Sequence, residues 1–184
     1  MGRRGVIAGV GAAAAAGVLL WRLRPDATRQ DGGAQTTAGE PRVVAQLAAW
    51  APAPPTRRAA RAASYAWAAP MTAAGLLLGA VANTAPRIHQ GALLFAHAGG
   101  LAARMLRWRR FSAATLGHVI VALGEPSEEL LVHELVHVRQ AERFGPLFAP
   151  LYLAGLARYG YRANPFERAA YRTADAFRVA RPDS

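Results

Sequence analysis

The chain has no cysteine and no lysine. Without cysteine there can be no disulfide framework, no thiolate metal site and no thiol nucleophile, so any bound metal must be held by His, Asp or Glu. All 22 basic residues are therefore arginine. Aromatics make up only 8% of the residues, so the core must lean on Leu, Val and Ala. Acids are also scarce, at 11, which leaves a net charge of +11. The imbalance is local. Up to Gly124 the only acids are Asp26, Asp31 and Glu40, whereas the remainder has as many acids as arginines. There is no Lys-rich tail, no finger spacing and no interleaved aromatic and basic stripe, so nucleic acid is not the expected partner. Arginines beside apolar segments fit anionic membrane lipid better.

A length of 184 residues allows one compact domain with attachments. Residues 1–24 read as a signal anchor or transmembrane segment. Arg3 and Arg4 precede an uncharged run from Gly5 to Trp21, and Arg22 and Arg24 follow it. As a helix this run is about 25 Å long, at the short end for a bilayer. Residues 25–61, rich in Ala, Pro, Gln, Thr and Gly, read as a disordered linker that could contain a short helix near Val43–Trp50. Residues 62–86 carry no charge and are long enough to span a bilayer, with Tyr65 and Trp67 placed as interfacial anchors; the competing reading is an Ala-rich core helix. The folded domain is expected over residues 87–184, and the whole chain as α+β and mostly helical, with short strands. One strand is expected over Gly91–His97, and a second, of buried type, over Thr115–Leu123. Residues 146–157 are apolar but short, as in a core helix or interfacial segment.

The chemistry is concentrated in one helix. Ser127 suits an N-cap, Glu128 and Glu129 favour the first turn, and Gly145-Pro146 ends the helix. Inside it runs His133-Glu134-Leu135-Val136-His137. Two His four apart on a helix lie about 40° apart around the axis and about 6 Å along it. Both imidazoles can then reach one zinc ion at about 2.0–2.1 Å. Glu134, about 100° round from His133, sits beside the ligands without being one, where a carboxylate can serve as general base.

A catalytic zinc site usually takes three protein ligands. Glu142 lies more than a turn past His137 on the same helix and is poorly placed. Glu167 opens a later helix after Asn164-Pro165 and is the leading third ligand. It is also the capping-box position of that helix, which would explain a Glu there without any metal. Asp175 and His118 are the other candidates, with His118 better suited to the core, and His89 and His97 read as ordinary strand or loop residues.

The His-Glu-x-x-His helix after a strand, with a Glu on a later helix, resembles the zincin metallopeptidases of the gluzincin type. The resemblance covers about Thr115 to Phe177. In layout it is nearest to the integral-membrane peptidases of the HtpX and prenyl-protease type. It implies a small zincin-like domain behind one or more N-terminal membrane helices. It also implies a zinc-dependent peptidase with His133, His137 and Glu167 as ligands and Glu134 as the base, acting on a peptide or protein substrate. Glu167-Arg168-Ala169-Ala170 matches the Glu-x-x-Ala signature, but Tyr171 stands where that group has Asp; Asp175 is the residue that could take over its supporting role. Arg158, Tyr159, Tyr161 and Arg162 are candidates to stabilise the oxyanion, and an edge strand at Thr115–Leu123 could pair with an extended peptide. The other readings are a membrane protein whose metal site or helix hairpin is only structural, and an exported peptidase with its first segment removed.

Overall fold

The structure, a computed structural model, describes residues 40–181. The expected anchor at 1–24 and the expected linker up to residue 39 lie outside the described residues. The elements run α1 (Arg42–Ala49), α2 (Arg58–Ala80), β1 (Arg87–His89), β2 (Ala92–Phe95), α3 (Gly100–Arg109), β3 (Ala113–Leu116), β4 (Val119–Ala122), α4 (Glu128–Phe144), a 3-10 turn (Gly145–Leu147), α5 (Phe148–Tyr159) and α6 (Pro165–Ala180). This is α+β and mostly helical, as expected.

Four short strands form one sheet in the order β1-β2-β4-β3. The pairs β1–β2 and β3–β4 are antiparallel hairpins, and β2 runs parallel to β4. The first hairpin turns at Gln90-Gly91, both at positive φ (47° and 86°), as a type I′ turn requires. The expected single strand over Thr115–Leu123 is in fact the second hairpin. Leu116 pairs with Val119, so the chain reverses over Gly117 and His118, with Gly117 at φ 60°. The break puts β3 at the sheet edge, with Thr115 on it.

The alternation of β2 and β4 divides the core. Leu94, Ile120 and Ala122 pack on Leu131, Leu135 and Val138 of α4. Phe95, Val119 and Val121 face the other way, onto Ala102 and Leu106 of α3 and Leu78 of α2. Helix α4 begins and ends where the sequence indicates: Ser127 Oγ accepts a hydrogen bond from Leu130 N at 3.2 Å, and Gly145 follows its last turn.

The segment expected to span a membrane packs one face on this core. It folds as α2, starts at Arg58, contains Pro70 and buries Ala68, Met71, Gly75 and Gly79 along one face. No helix among the described residues is long and apolar enough to cross a membrane. Tyr65 and Trp67, expected as interfacial anchors, instead donate hydrogen bonds to Gly91 O at 3.1 Å and Arg143 O at 3.3 Å. The small residues have a packing reason. A Cβ on Gly75 would lie 2.5 Å from Leu116 O, and one on Gly79 would lie 2.6 Å from the Phe95 ring. Because the obstacle at Gly75 is backbone, Gly75→Ala should destabilise the domain by about 1–3 kcal/mol, read from thermal unfolding. An unchanged melting temperature would separate α2 from the sheet.

The fold also begins earlier than the expected linker boundary. Helix α1 packs on α6, Trp50 sets its edge against Phe144 at 5.8 Å, and the Glu40 carboxylate pairs with Arg168 in a largely buried contact.

Candidate metal centre

Helix α4 carries His133, Glu134 and His137 on its buried side, and α6 brings Glu167 to them from the next layer. His133 Nε2 and His137 Nε2 are 3.2 Å apart, and each is 3.3 Å from one oxygen of Glu167. The three residues are 6%, 7% and 2% exposed, and one ligand atom from each falls within 4.8 Å of the others. Such burial is costly for charged and lone-pair groups unless something compensates it.

The hydrogen bonds around the group indicate what compensates it. Gln140, fully buried, donates its side-chain N–H to Phe166 O at 3.1 Å. Its oxygen therefore faces His137 Nδ1, at 2.8 Å, and Nδ1 carries the hydrogen. His137 Nε2 then presents a lone pair towards His133 Nε2 and Glu167 unless it is protonated. Glu167 Oε2 is buried with no hydrogen-bond donor. Three electron-pair donors aimed at one point call for a cation, and His-His-carboxylate is a donor set suited to zinc. Without a metal, a proton fills the same need. Burial alone pushes His137 down, but the adjacent Glu167 carboxylate outweighs it and holds the imidazole up at about 9. Burial pushes Glu167 up, and the facing His137 and His133 reverse this, keeping it well below the ordinary carboxylate range.

Glu134 is buried beside the three without belonging to the group. Its Oε2 accepts a hydrogen bond from the Thr115 hydroxyl at 2.6 Å, so edge strand β3 orients the carboxylate. Tyr152 of α5 donates to Glu167 Oε1 at 2.6 Å. Burial, and then the Glu167 charge, raise Tyr152 well above the usual phenol range, so it stays a donor.

Of the four oxyanion candidates, Tyr161 is the one whose acidity responds to the Glu167 charge. Burial first and Glu167 second raise it, it hydrogen-bonds with Tyr171, and its ring stacks on Phe111 at 5.5 Å. Arg162 is exposed and lies over the Tyr171 ring at 5.5 Å. Arg158 is exposed and lies over Tyr159 at 5.5 Å. Asp175 is exposed and bonded to Arg178 at 3.0 Å, so the geometry does not bring it to His133. The ring of Tyr171 packs there instead, at 4.5 Å, where the resemblance leads one to look for a carboxylate. His118 sits in a separate buried network, 3.0 Å from Thr72 Oγ1 and 3.1 Å from Glu142, which also pairs with Arg139. His89 is half-buried on β1, and His97 lies 3.6 Å from Glu125.

Three contributors carried no expected role. Gln140 is one turn past His137 on the same face, and an uncharged polar residue on the buried stripe was its signal. Thr115 and Tyr152 come from other elements and had no local signal. No family model, no characterised protein and no solved structure matches the chain.

Proposed function

We propose that the chain is a zinc-dependent metallopeptidase, attached to a membrane through its Gly5–Trp21 segment. The observation that carries the hydrolase reading is the convergence of three buried donors, His133, His137 and Glu167, beside a carboxylate that is not one of them. When bound, zinc would polarise a peptide carbonyl and bring the pKa of a water down to about 7. Glu134, held by Thr115, accepts the proton of the attacking water and returns it to the leaving amine. Tyr161, which burial keeps protonated, is the residue we assign as donor to the developing oxyanion. The free side of β3 offers backbone groups to an extended peptide. Attachment rests on the uncharged run between Arg4 and Arg22, and substrates would then be peptides or proteins at the bilayer surface.

A structural metal site is the competing reading, favoured by the depth at which the three ligands are buried. It assigns no task to Glu134, whose one side-chain hydrogen bond among the described residues is from a threonine hydroxyl. The purified protein should carry about one zinc per chain and cleave an unfolded protein substrate. Chelation should stop cleavage, zinc should restore it, and the His133→Ala, His137→Ala double variant should hold no zinc. Equal zinc in the parent and the double variant would overturn the site. Stoichiometric zinc with no cleavage of any unfolded substrate would leave the structural reading.

A further inference from the structure

Helix α3 presents a half-exposed apolar stripe on its outer face. It buries Ala102, Ala103 and Leu106 against the sheet, while Leu101, Met105 and Trp108 are 54%, 47% and 52% exposed. These three are spaced i, i+4, i+7, so they form one stripe along the helix. Arg104, Arg107 and Arg110 are exposed beside it, and no ion pair among the described residues takes them up. Between Pro41 and Gly124 there are nine arginines and no Asp or Glu, so nothing nearby in sequence offsets them. The start of α3 is bonded to the end of α2, through Gly99 N to Ala82 O at 2.6 Å and Ala102 N to Val81 O at 3.3 Å. The last turns of α2 expose two further apolar residues, Leu76 and Leu77.

We propose that α3 is a membrane-docking helix that lies on an anionic lipid surface. An apolar stripe containing a tryptophan and bordered by arginines is what an interfacial helix needs. Leu101, Met105 and Trp108 would enter the boundary between headgroups and acyl chains, and the guanidinium groups would meet lipid phosphates. A nucleic acid would neutralise the arginines and leave the stripe in water. A protein groove would cover the stripe but must also supply acids for the arginines. An anionic bilayer supplies both chemistries at once. The docking proposal does not depend on the hydrolase reading, since it concerns lipid contact alone.

The absence of cysteine makes the test specific, because a single introduced thiol takes the only label. Full-length Met105→Cys is labelled with an environment-sensitive fluorophore and mixed with vesicles of phosphatidylcholine, with or without a quarter phosphatidylglycerol. Full-length Val179→Cys, at an exposed position of α6, is the control. On anionic vesicles the label at 105 should shift its emission to shorter wavelength and be quenched by spin-labelled acyl chains, and the label at 179 should do neither. Exchanging Arg104, Arg107 and Arg110 together for Gln should weaken docking by about 5-fold per arginine, on the order of 100-fold in all, and 0.5 M salt should act in the same direction. The proposal is overturned if the label at 105 stays in water on anionic vesicles while the chain is bound to them. It is also overturned if both positions respond alike, if the triple exchange has no effect, or if nucleic acid or self-association without lipid produces the same shift.

Discussion

Glu134→Gln should leave the protein folded and loaded with metal, and should reduce peptide hydrolysis by about 10²–10⁴-fold. The exchange is close to isosteric. The glutamine carbonyl can still accept the hydrogen bond that Thr115 now gives to Oε2, so the site keeps its shape. The ligand group is untouched, because Glu134 is not among its three members. What disappears is the carboxylate that stands beside the ligands without being one of them. Metal content measured beside turnover on an unfolded substrate gives both readings from one sample. Activity within a few-fold of the parent would remove Glu134 as the base, and with it the main argument against a purely structural site. Loss of the metal itself would mean that Glu134 binds it, and the ligand set would need redrawing.

The parts of this site that could be read from the sequence were the parts set by local rules. The spacing of His133 and His137, the Ser127 cap and the Gly145 stop all act within one helix, and the structure has them there. The third ligand was a harder inference, because a Glu at the third position of a helix has two physical explanations. Thr115 and Tyr152 depend on how β3 and α5 are set against the helices, which no residue spacing encodes. The Glu40–Arg168 pair joins positions 128 apart and marked the start of the domain inside what composition described as linker.

Helix α2 shows a different limit. An uncharged, Ala-rich stretch satisfies a bilayer and a protein core alike, since both lack water. The distinguishing marks were Thr72, Gly75 and Gly79, small or polar residues placed where backbone and ring approach most closely. Thr72 also spends its hydroxyl on His118 Nδ1 and on His118 N. The Gly117-His118 turn was hidden for a related reason. A two-residue reversal inside a run of β-branched residues leaves the composition of a single longer strand.

Glu167→Gln should cost zinc affinity far more than helix stability. The capping explanation for this residue requires its carboxylate to bond the N–H of Asn164. In the structure that N–H goes to Tyr161 O at 3.2 Å, and the Asn164 side chain alone caps the helix by accepting from Phe166 N at 3.2 Å. The Glu167 carboxylate is turned inward instead, to Tyr152 and the two imidazoles. Even a lost cap would cost only about 1 kcal/mol of stability. Replacing an anionic donor with a neutral amide removes a ligand, and should cost more than the 10–100-fold in affinity typical of losing an outer partner of a ligand. Tyr152 can still donate to the amide oxygen, so the side chain should stay in place and the comparison isolates its charge. Zinc affinity is measured by competition with a coloured chelator, on protein shown by circular dichroism to be folded. The metal-free variant should also lose the partner that holds His137 protonated. His137 would then titrate below its present value of about 9, visible in its imidazole proton resonances. Unchanged zinc affinity together with an unchanged His137 titration would show that Glu167 neither binds the metal nor faces the histidines. Asp175, exposed and bonded to Arg178, could not take its place without a rearrangement of α6.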